Sequence, residues 1–255
     1  MLTFIIIIVF FIISIIFVEL LLKNDKGEKE PISALWVASG FGVLGIIAAS
    51  FLESIILNKQ SLNPSIGLPH LFLNTTIVGI IEESFKFLPL AFFIYKRRYF
   101  NEHTDGIIYF AIAGLSFGLP ENILYTISYG SSAGIGRLIL TPLFHAVLTG
   151  MVGYFLAKYK IEKKNVLKVI PFFFLAILLH SLYDFGLSSG NSLLITVSIL
   201  ITIILSLYIY FLYLRANDLD REMGLSVAGN NQYCRNCGKI NRAHSLYCTN
   251  CGHHA

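Results

Sequence analysis

The stretch LTFIIIIVFFIISIIFVELLL, Leu2–Leu22, decides the fold class of this 255-residue chain. A helix needs about 20 mostly apolar residues to cross the hydrocarbon core of a bilayer, so this run predicts a membrane span. Further apolar runs of similar length predict spans at Ala34–Leu57, Leu71–Tyr95, Gly106–Ser128, Leu138–Ala157, Val169–Ser188 and Ser192–Leu214. The predicted fold is therefore all-α, a polytopic membrane helix bundle of about seven spans.

The composition excludes other classes of protein. Hydrophobic residues make up 55% of the chain and charged residues 13%, against about 25% charged residues in soluble domains. This balance excludes an ordinary soluble globule and a disordered chain. The apolar runs are continuous, whereas strands of a membrane barrel would alternate apolar and polar residues. No basic residue precedes the first run and no small-residue cleavage site follows it, so we interpret it as a span and not as a signal peptide.

Lysine and arginine in the connections predict the orientation. The connections after the first, third and fifth spans hold eleven of them, whereas those after the second, fourth and sixth hold two, Lys59 and Arg137. Because basic loops stay in the cytoplasm, we expect a multi-pass protein of the cell membrane with its N-terminus outside and its C-terminus in the cytoplasm.

The composition changes after Leu214. Residues 1–214 form the predicted transmembrane domain, residues 215–231 a polar linker, and residues 232–255 a small C-terminal module. This module carries Cys234, Cys237, Cys248 and Cys251 in two Cys-x-x-Cys-Gly turns. Such a spacing predicts a tetrahedral structural zinc site, a zinc ribbon, and a reducing cytoplasm disfavours disulfides. The ribbon has too few basic residues to predict nucleic acid binding, and its partner is unknown.

Charged residues within the predicted spans are candidates for function because burying them in a membrane is costly. Glu82, Glu83 and Lys86 lie in the third span, where the lysine is one helical turn from both acids. One lysine neutralises only one of the two carboxylates, which leaves the other as a candidate general base. An internal ion pair without a catalytic role is the structural alternative.

Further polar residues lie at similar depth in three other spans. Counted from the predicted outer edge at a rise of ~1.5 Å per residue, Glu121, His145 and His180 lie roughly 10–12 Å deep and Glu82 roughly 16 Å deep. Asn122 follows Glu121, and Asp184 shares a helix face with His180. Each could be a hydrogen-bonded core residue when taken alone. Their common depth in the outer half of the bilayer favours a single site.

Two histidines and one glutamate are the ligand set of many catalytic zinc sites, which keep a further position for water. We therefore expect Glu121, His145 and His180 to hold a divalent metal, with zinc as the expected ion. Glu82 or Glu83 would act as general base for hydrolysis of an amide bond. Lys86 would pair with these acids.

Asn122 and Asp184 would support the site or the oxyanion. Glu19 and Glu53 lie near span ends and are expected to reach the interface. Asp105 and Arg137 are either anchors or site supports.

These motifs resemble the PrsW family of intramembrane proteases. The pattern runs in order through Glu82-Glu83-x-x-Lys86, Asp105-Gly106, Phe117-x-x-x-Glu121-Asn122, His145 and His180-x-x-x-Asp184, within residues 71–188. The resemblance implies a metalloprotease of a wider group that includes the CAAX prenyl endopeptidases and the abortive-infection proteins. It also implies regulatory proteins anchored in the membrane as substrates, cut near its outer side. The family often has Asn at the last motif position, where this chain has Asp184.

Two other functions remain open from the residues alone. A proton- or cation-coupled transporter would use the same buried acids and histidines as a relay, although the chain shows no inverted repeat. A membrane scaffold would dock partners through the zinc ribbon.

Overall fold

The computed structural model describes residues 2–57, 62–130, 137, 140–223, 225, 232–233 and 240–241. Within these ranges the chain forms long helices in the order α1 Leu2–Asn24, α2 Ile32–Ile56, α3 Leu68–Ile94, α4 His103–Tyr129, α5 Leu140–Ile161, α6 Ile170–Ser188 and α7 Ser192–Glu222. Short 3-10 turns at Pro64–Ile66 and Val166–Val169 precede α3 and α6. The helical bundle predicted from the sequence is therefore confirmed.

Six of these helices are long and apolar enough to cross a membrane, as judged on the described residues. The other long helix, α3, has 27 residues, but it carries Glu82, Glu83 and Lys86. The helices also extend beyond the predicted spans. In particular, α7 continues to Glu222, so the segment predicted to begin a linker at residue 215 is helical. The extension of α7 is polar, and contacts near its C-terminal end hold it against the rest of the bundle.

Two helices form the centre of the bundle. Most residues of α5 are buried, and α4 packs along α5 while it also contacts α1, α2 and α7. Glycines allow the two backbones to approach closely. A Cβ at Gly106 would overlap the carbonyl oxygen of Gly153, a Cβ at Gly153 would overlap that of Gly106, and a Cβ at Gly114 would overlap that of His145. Small residues at such a crossing favour close van der Waals packing, which drives helix association where lipid is the solvent.

The connections that carry most of the basic residues gather at one end of the bundle, which we call the basic end. There the Lys160 Nζ donates to the Phe100 carbonyl at 2.7 Å, which joins the end of α5 to the α3–α4 connection. The Lys26 backbone N–H donates to Asn217 Oδ1 at 3.1 Å, which joins the α1–α2 connection to α7. The connections α2–α3, α4–α5 and α6–α7 follow the other ends of these helices, which we call the cavity end.

Buried carboxylates hold the start of α4 at the basic end. Asp105 Oδ2 accepts hydrogen bonds from the backbone N–H groups of Asn101 at 2.6 Å and Glu102 at 2.8 Å. Asp220 of α7 accepts from the backbone N–H groups of His103 at 2.8 Å and Thr104 at 3.1 Å. Carboxylates satisfy unpaired N–H groups at a helix N-terminus and interact favourably with its dipole. The Asp220 contacts therefore fix the extension of α7 onto α4.

Two further acids of this cluster lie outside the spans and have shifted titration. Burial, with the neighbouring Asp105 charge, raises the pKa of Glu102 to about 9. Burial also raises the pKa of Glu30 to about 7, although the Glu30 carboxylate accepts a hydrogen bond from Tyr109. Both groups therefore bind a proton more tightly in the folded chain than at their ordinary pKa of 4.5.

Two short strands lie in the C-terminal module. Gln232–Tyr233 pairs antiparallel with Ile240–Asn241. The cysteines of the predicted zinc ribbon, Cys234, Cys237, Cys248 and Cys251, lie outside the described residues.

We expect a methyl group at the α4–α5 crossing to destabilise the protein. The exchange Gly153→Ala forces the helices apart and should cost about 1–3 kcal/mol, as overpacking does elsewhere, which lowers Tm by several degrees. Thermal unfolding of the detergent-solubilised protein measures this effect. Gly40→Ala is the matched control, because a Cβ at Gly40 meets nothing within 4 Å. An equal Tm for both variants would contradict the packing argument.

Stability should fall as the pH rises from about 5 to about 9. In this range the folded chain keeps protons on Glu30 and Glu102 that the unfolded chain releases, so unfolding releases protons and becomes easier at higher pH. Tm measured across this range should fall less steeply for Glu102→Gln than for the parent protein. Glu222→Gln, which removes an exposed carboxylate at the end of α7, should keep the parent slope. An unchanged slope in Glu102→Gln would show that this carboxyl does not carry the effect.

Candidate metal centre

The polar residues predicted from four spans meet inside the bundle. α3 contributes Glu82, Glu83 and Lys86, α4 contributes Glu121 and Asn122, α5 contributes His145, and α6 contributes His180 and Asp184. Contacts connect them in one continuous chain from Asp184 through His180, Glu83, Lys86, His145 and Glu121 to Arg137 and Asn122. The similar membrane depth predicted for these residues therefore corresponds to contacts between them in the structure.

Lys86 is the centre of this chain of contacts. It is fully buried, and its Nζ lies 2.6 Å from Glu83 Oε1 and 3.5 Å from Glu82 Oε2. The same nitrogen lies 2.9 Å from His145 Nδ1 and 4.5 Å from the centroid of the Phe117 ring. Since Lys86 is one helical turn from both acids, α3 itself supplies most of the compensation for a buried ammonium group.

The two acids of α3 have different neighbours. Glu83 Oε1 accepts from His180 Nδ1 at 2.7 Å in addition to its contact with Lys86. This bond orients the imidazole and leaves Nε2 as the nitrogen available to a metal, an arrangement typical of carboxylate–histidine pairs at metal sites. The Nδ1 contact is made by Glu83, whereas Asp184 Oδ2 lies 3.2 Å from Nε2. The contacts of Glu82 are longer than those of Glu83. Its Oε2 lies 3.5 Å from His180 Nε2.

His145 lies between Lys86 and Glu121. Its Nδ1 faces the lysine, and its Nε2 lies 2.6 Å from Glu121 Oε2. The rings of His145 and His180 have centroids 5.2 Å apart. Phe144 packs edge-on against the His180 ring, with centroids 5.7 Å apart. The two imidazoles therefore lie edge to face, with the Phe144 ring beside them.

The residues fit a divalent metal. Glu82, His145 and His180 each offer a ligand atom, and these atoms lie within 4.8 Å of one another. Two atoms bound to a tetrahedral zinc at 2.0–2.1 Å lie about 3.4 Å apart, close to the separation of His180 Nε2 from Glu82 Oε2. In addition, His145 Nε2 and Glu121 Oε2 are buried 2.6 Å apart, and neither has another partner within the described chain. The geometry thus groups Glu82 with both histidines, while Glu121 contacts His145.

A polar cavity of about 130 Å³ opens beside this cluster at the cavity end. Glu82, Glu121 and Asp184 line it, whereas Glu83 does not. Its volume is enough for several water molecules, which the carboxylates could hold. Water can therefore reach Glu82 and Glu121 while Glu83 stays behind them.

One acid of the cavity was not predicted as a site residue. Glu53 of α2 lines the cavity instead of reaching for the interface, and its Oε1 is buried without a hydrogen bond in the described chain. The sequence did contain a signal for this. The buried face of α2 follows Ala38, Gly42, Ile46 and Ala49 at intervals of three and four residues, and Glu53 continues that face.

The two residues left open as anchors or supports have separate places. Arg137 belongs to the site, where its guanidinium forms an ion pair with Glu121 and its Nε donates to Asn122 Oδ1 at 3.1 Å. Asp105 lies at the basic end in the helix cap described above, and the adjacent Gly106 permits the α4–α5 crossing. The Asp105-Gly106 pair therefore stabilises the packing of α4 and lies away from the polar cluster.

Comparison with known proteins agrees with this geometry. A family model described as PrsW family intramembrane metalloprotease matches residues 30–214, which contain every residue of the cluster. The chain is 34% identical over 175 residues to Protease PrsW of Halalkalibacterium halodurans, covering 64% of this chain and 74% of the relative. It is 30% identical over 168 residues to Protease PrsW of Bacillus subtilis, covering 65% and 75%. No solved structure matches the chain.

The match to the family model extends beyond residues 71–188, where the motifs lie, and includes α2 and most of α7. The family match and the two relatives confirm the resemblance seen in the sequence and the protease activity that it implied. The chain belongs to the PrsW family of intramembrane metalloproteases.

Proposed function

We propose that this protease cuts membrane-anchored regulatory proteins within the outer half of the bilayer, at the cavity end of the bundle. One observation carries the proposal. Two histidines and four carboxylates, contributed by α3, α4, α5 and α6, meet beside a polar cavity. Peptide hydrolysis needs water, and a bilayer core provides it only where protein lines a wet cavity.

We assign Glu121, His145 and His180 to hold the ion, with zinc as the expected metal. An ion bound there supplies Lewis-acid activation of water and of the peptide carbonyl. Support for Glu121 comes from its Oε2, which lies beside His145 Nε2 and has no other partner among the described residues. Glu83 and Lys86 act by positioning, because they hold His180 and His145 through their Nδ1 atoms.

Glu82 is the proposed general base. It lines the cavity, whereas Glu83 is occupied by Lys86 and His180. A base must lie near the water whose proton it takes, and Glu82 lies near both histidines. The grouping of Glu82 with these histidines also favours a second assignment, in which Glu82 is the ligand and Glu121 the base. Asn122 and Asp184 complete the site from α4 and α6.

We propose that the basic end of the bundle lies in the cytoplasm. The basic connections after α1, α3 and α5 favour a cytoplasmic basic end, with the N-terminus outside and the C-terminus inside. With this orientation the cavity end faces the exterior, and the C-terminal module lies in the cytoplasm.

The C-terminal module is proposed to be a zinc ribbon that docks a cytoplasmic partner. Its support is the Cys-x2-Cys-x10-Cys-x2-Cys pattern and the antiparallel strand pair, which encloses the first cysteine pair in sequence. A segment this short has little core of its own, so bound metal would provide most of its folding free energy.

Membership of a protease family favours hydrolysis over the two other functions considered from the sequence. A scaffold would give no reason for the paired arrangement of Glu83 with His180 Nδ1, which leaves Nε2 directed at the other carboxylates.

We expect Glu82→Gln to reduce cleavage by about 10²- to 10⁴-fold, the usual contribution of a general base, while zinc affinity stays within about threefold of the parent. Glu121→Gln should lose zinc from the membrane site. The assay uses liposomes that contain the full-length protein and single-span reporters with varied juxtamembrane sequences, with products identified by mass spectrometry. Glu82→Gln with Glu83→Gln should abolish cleavage.

Glu222→Gln is the matched control, since this exposed residue lies at the basic end. If Glu82→Gln loses the zinc and Glu121→Gln keeps it, the two glutamates exchange roles. If the double variant of Glu82 and Glu83 cleaves the reporters like the parent, the base assignment fails for both residues.

Metal content should separate the two proposed zinc sites. We expect about two zinc ions per chain in the parent and about one in His145→Gln with His180→Gln, which keeps the ribbon. Cys234→Ser with Cys237→Ser should also retain about one ion, together with peptidase activity. Elemental analysis of purified protein after dialysis measures this content. Two ions in the cysteine variant would exclude a zinc site built on that pair.

A further inference from the structure

Arg137 reaches into the site from the connection between α4 and α5. Its guanidinium makes an ion pair with Glu121, its Nε donates to Asn122 Oδ1 at 3.1 Å, and its Cζ lies 4.0 Å from the centroid of the Tyr125 ring. The three contacted residues lie on one side of α4, at adjacent positions and one turn further. Only 13% of the Arg137 side chain is exposed, and these three contacts hold it in place.

The contact with Asn122 determines which way the amide faces. An arginine Nε can only donate, so the group that faces it must be the amide oxygen. The amide nitrogen must then point to the other side of the side chain. Asn122 has no exposed surface, and its Nδ2 has no hydrogen-bond partner among the described residues. A buried donor without an acceptor is rare in folded proteins and calls for a functional explanation.

We propose that Arg137 is a positioning residue that holds the Asn122 amide with its N–H groups free, so that they can donate to the carbonyl oxygen of the substrate as negative charge develops on it. This inference rests on the proposed function. The acceptor is the scissile peptide carbonyl, which gains charge when water adds to its carbon. No proton is transferred from Asn122, because the amide only donates a hydrogen bond.

The ion pair with Glu121 serves this arrangement. The ion pair neutralises the guanidinium and fixes its plane, so that Nε is directed at Asn122, the residue that follows Glu121 on α4. Lysine could pair with Glu121 as a point charge, but it lacks the planar fork that bonds two acceptors at fixed angles. Arg137→Lys therefore separates the orientation of the amide from the charge beside Glu121.

The first experiment needs no activity. The full-length protein is labelled with [15N]asparagine in detergent micelles, and the side-chain NH₂ signal of Asn122 is assigned by its loss in Asn122→Ala. Arg137→Lys should shift this signal, whereas the matched variant Arg98→Lys, an exposed arginine at the basic end, should leave it in place. If Arg137→Lys leaves the signal unchanged, Arg137 does not orient the amide and the proposal fails.

The second experiment is a double-mutant cycle on cleavage of the reporters. Asn122→Ala should lower kcat about 100-fold, as loss of one oxyanion donor does, and Arg137→Lys should lower kcat at least about 10-fold, with KM nearly unchanged in both. The variant that combines them should be no slower than Asn122→Ala alone, because Arg137 acts through Asn122. Tm should stay near that of the parent.

Independent, multiplying losses in kcat would overturn the proposal, as would a loss confined to KM. Full activity in Arg137→Lys would also overturn it, since it would show that the charge alone is sufficient. If the parent protein cleaves none of the reporters, the proposed function fails, and the NMR experiment still decides whether Arg137 orients the amide.

Discussion

A buried ammonium group organises the site. Lys86 has no contact with solvent, so its charge must be balanced by carboxylates and hydrogen bonds within the bundle. Glu83 balances it most closely, at 2.6 Å, and also binds His180. His145 contacts the same nitrogen from α5. One charge on α3 thus contacts the imidazole of α5 directly and that of α6 through Glu83.

The sequence was sufficient for most of the fold and for the members of the site. Continuous apolar runs predict helices because lipid satisfies no backbone groups, and charged residues within such runs are rare enough to stand out. Glu53 was missed for a different reason. It lies one turn from the end of α2, where a carboxylate could equally reach the interface, and only the packing of the small-residue face against α4 directs it inward.

Side-chain partners were less predictable than site membership. Asp184 shares a helix face with His180 and lies 3.2 Å from its Nε2, whereas Nδ1 is bound by Glu83 from another helix, which spacing along one helix cannot show. Arg137 lies in a connection, where periodicity carries no information about direction. Its role depends on the contact with Asn122. Likewise, nothing in the polar segment after Leu214 indicates that Asp220 caps α4, since that contact joins residues more than a hundred positions apart.

The close approach of α4 and α5 has a further consequence for which positions of this protein tolerate substitution. At Gly106, Gly114 and Gly153 main chain meets main chain or a neighbouring side chain, so the spacing of the two helices does not depend on the sizes of interdigitating side chains. The backbone contact of these helices therefore also sets the distance between Glu121 on α4 and His145 on α5. Substitutions at exposed positions such as Phe92 and Trp36 should therefore leave the separation of Glu121 and His145 unchanged.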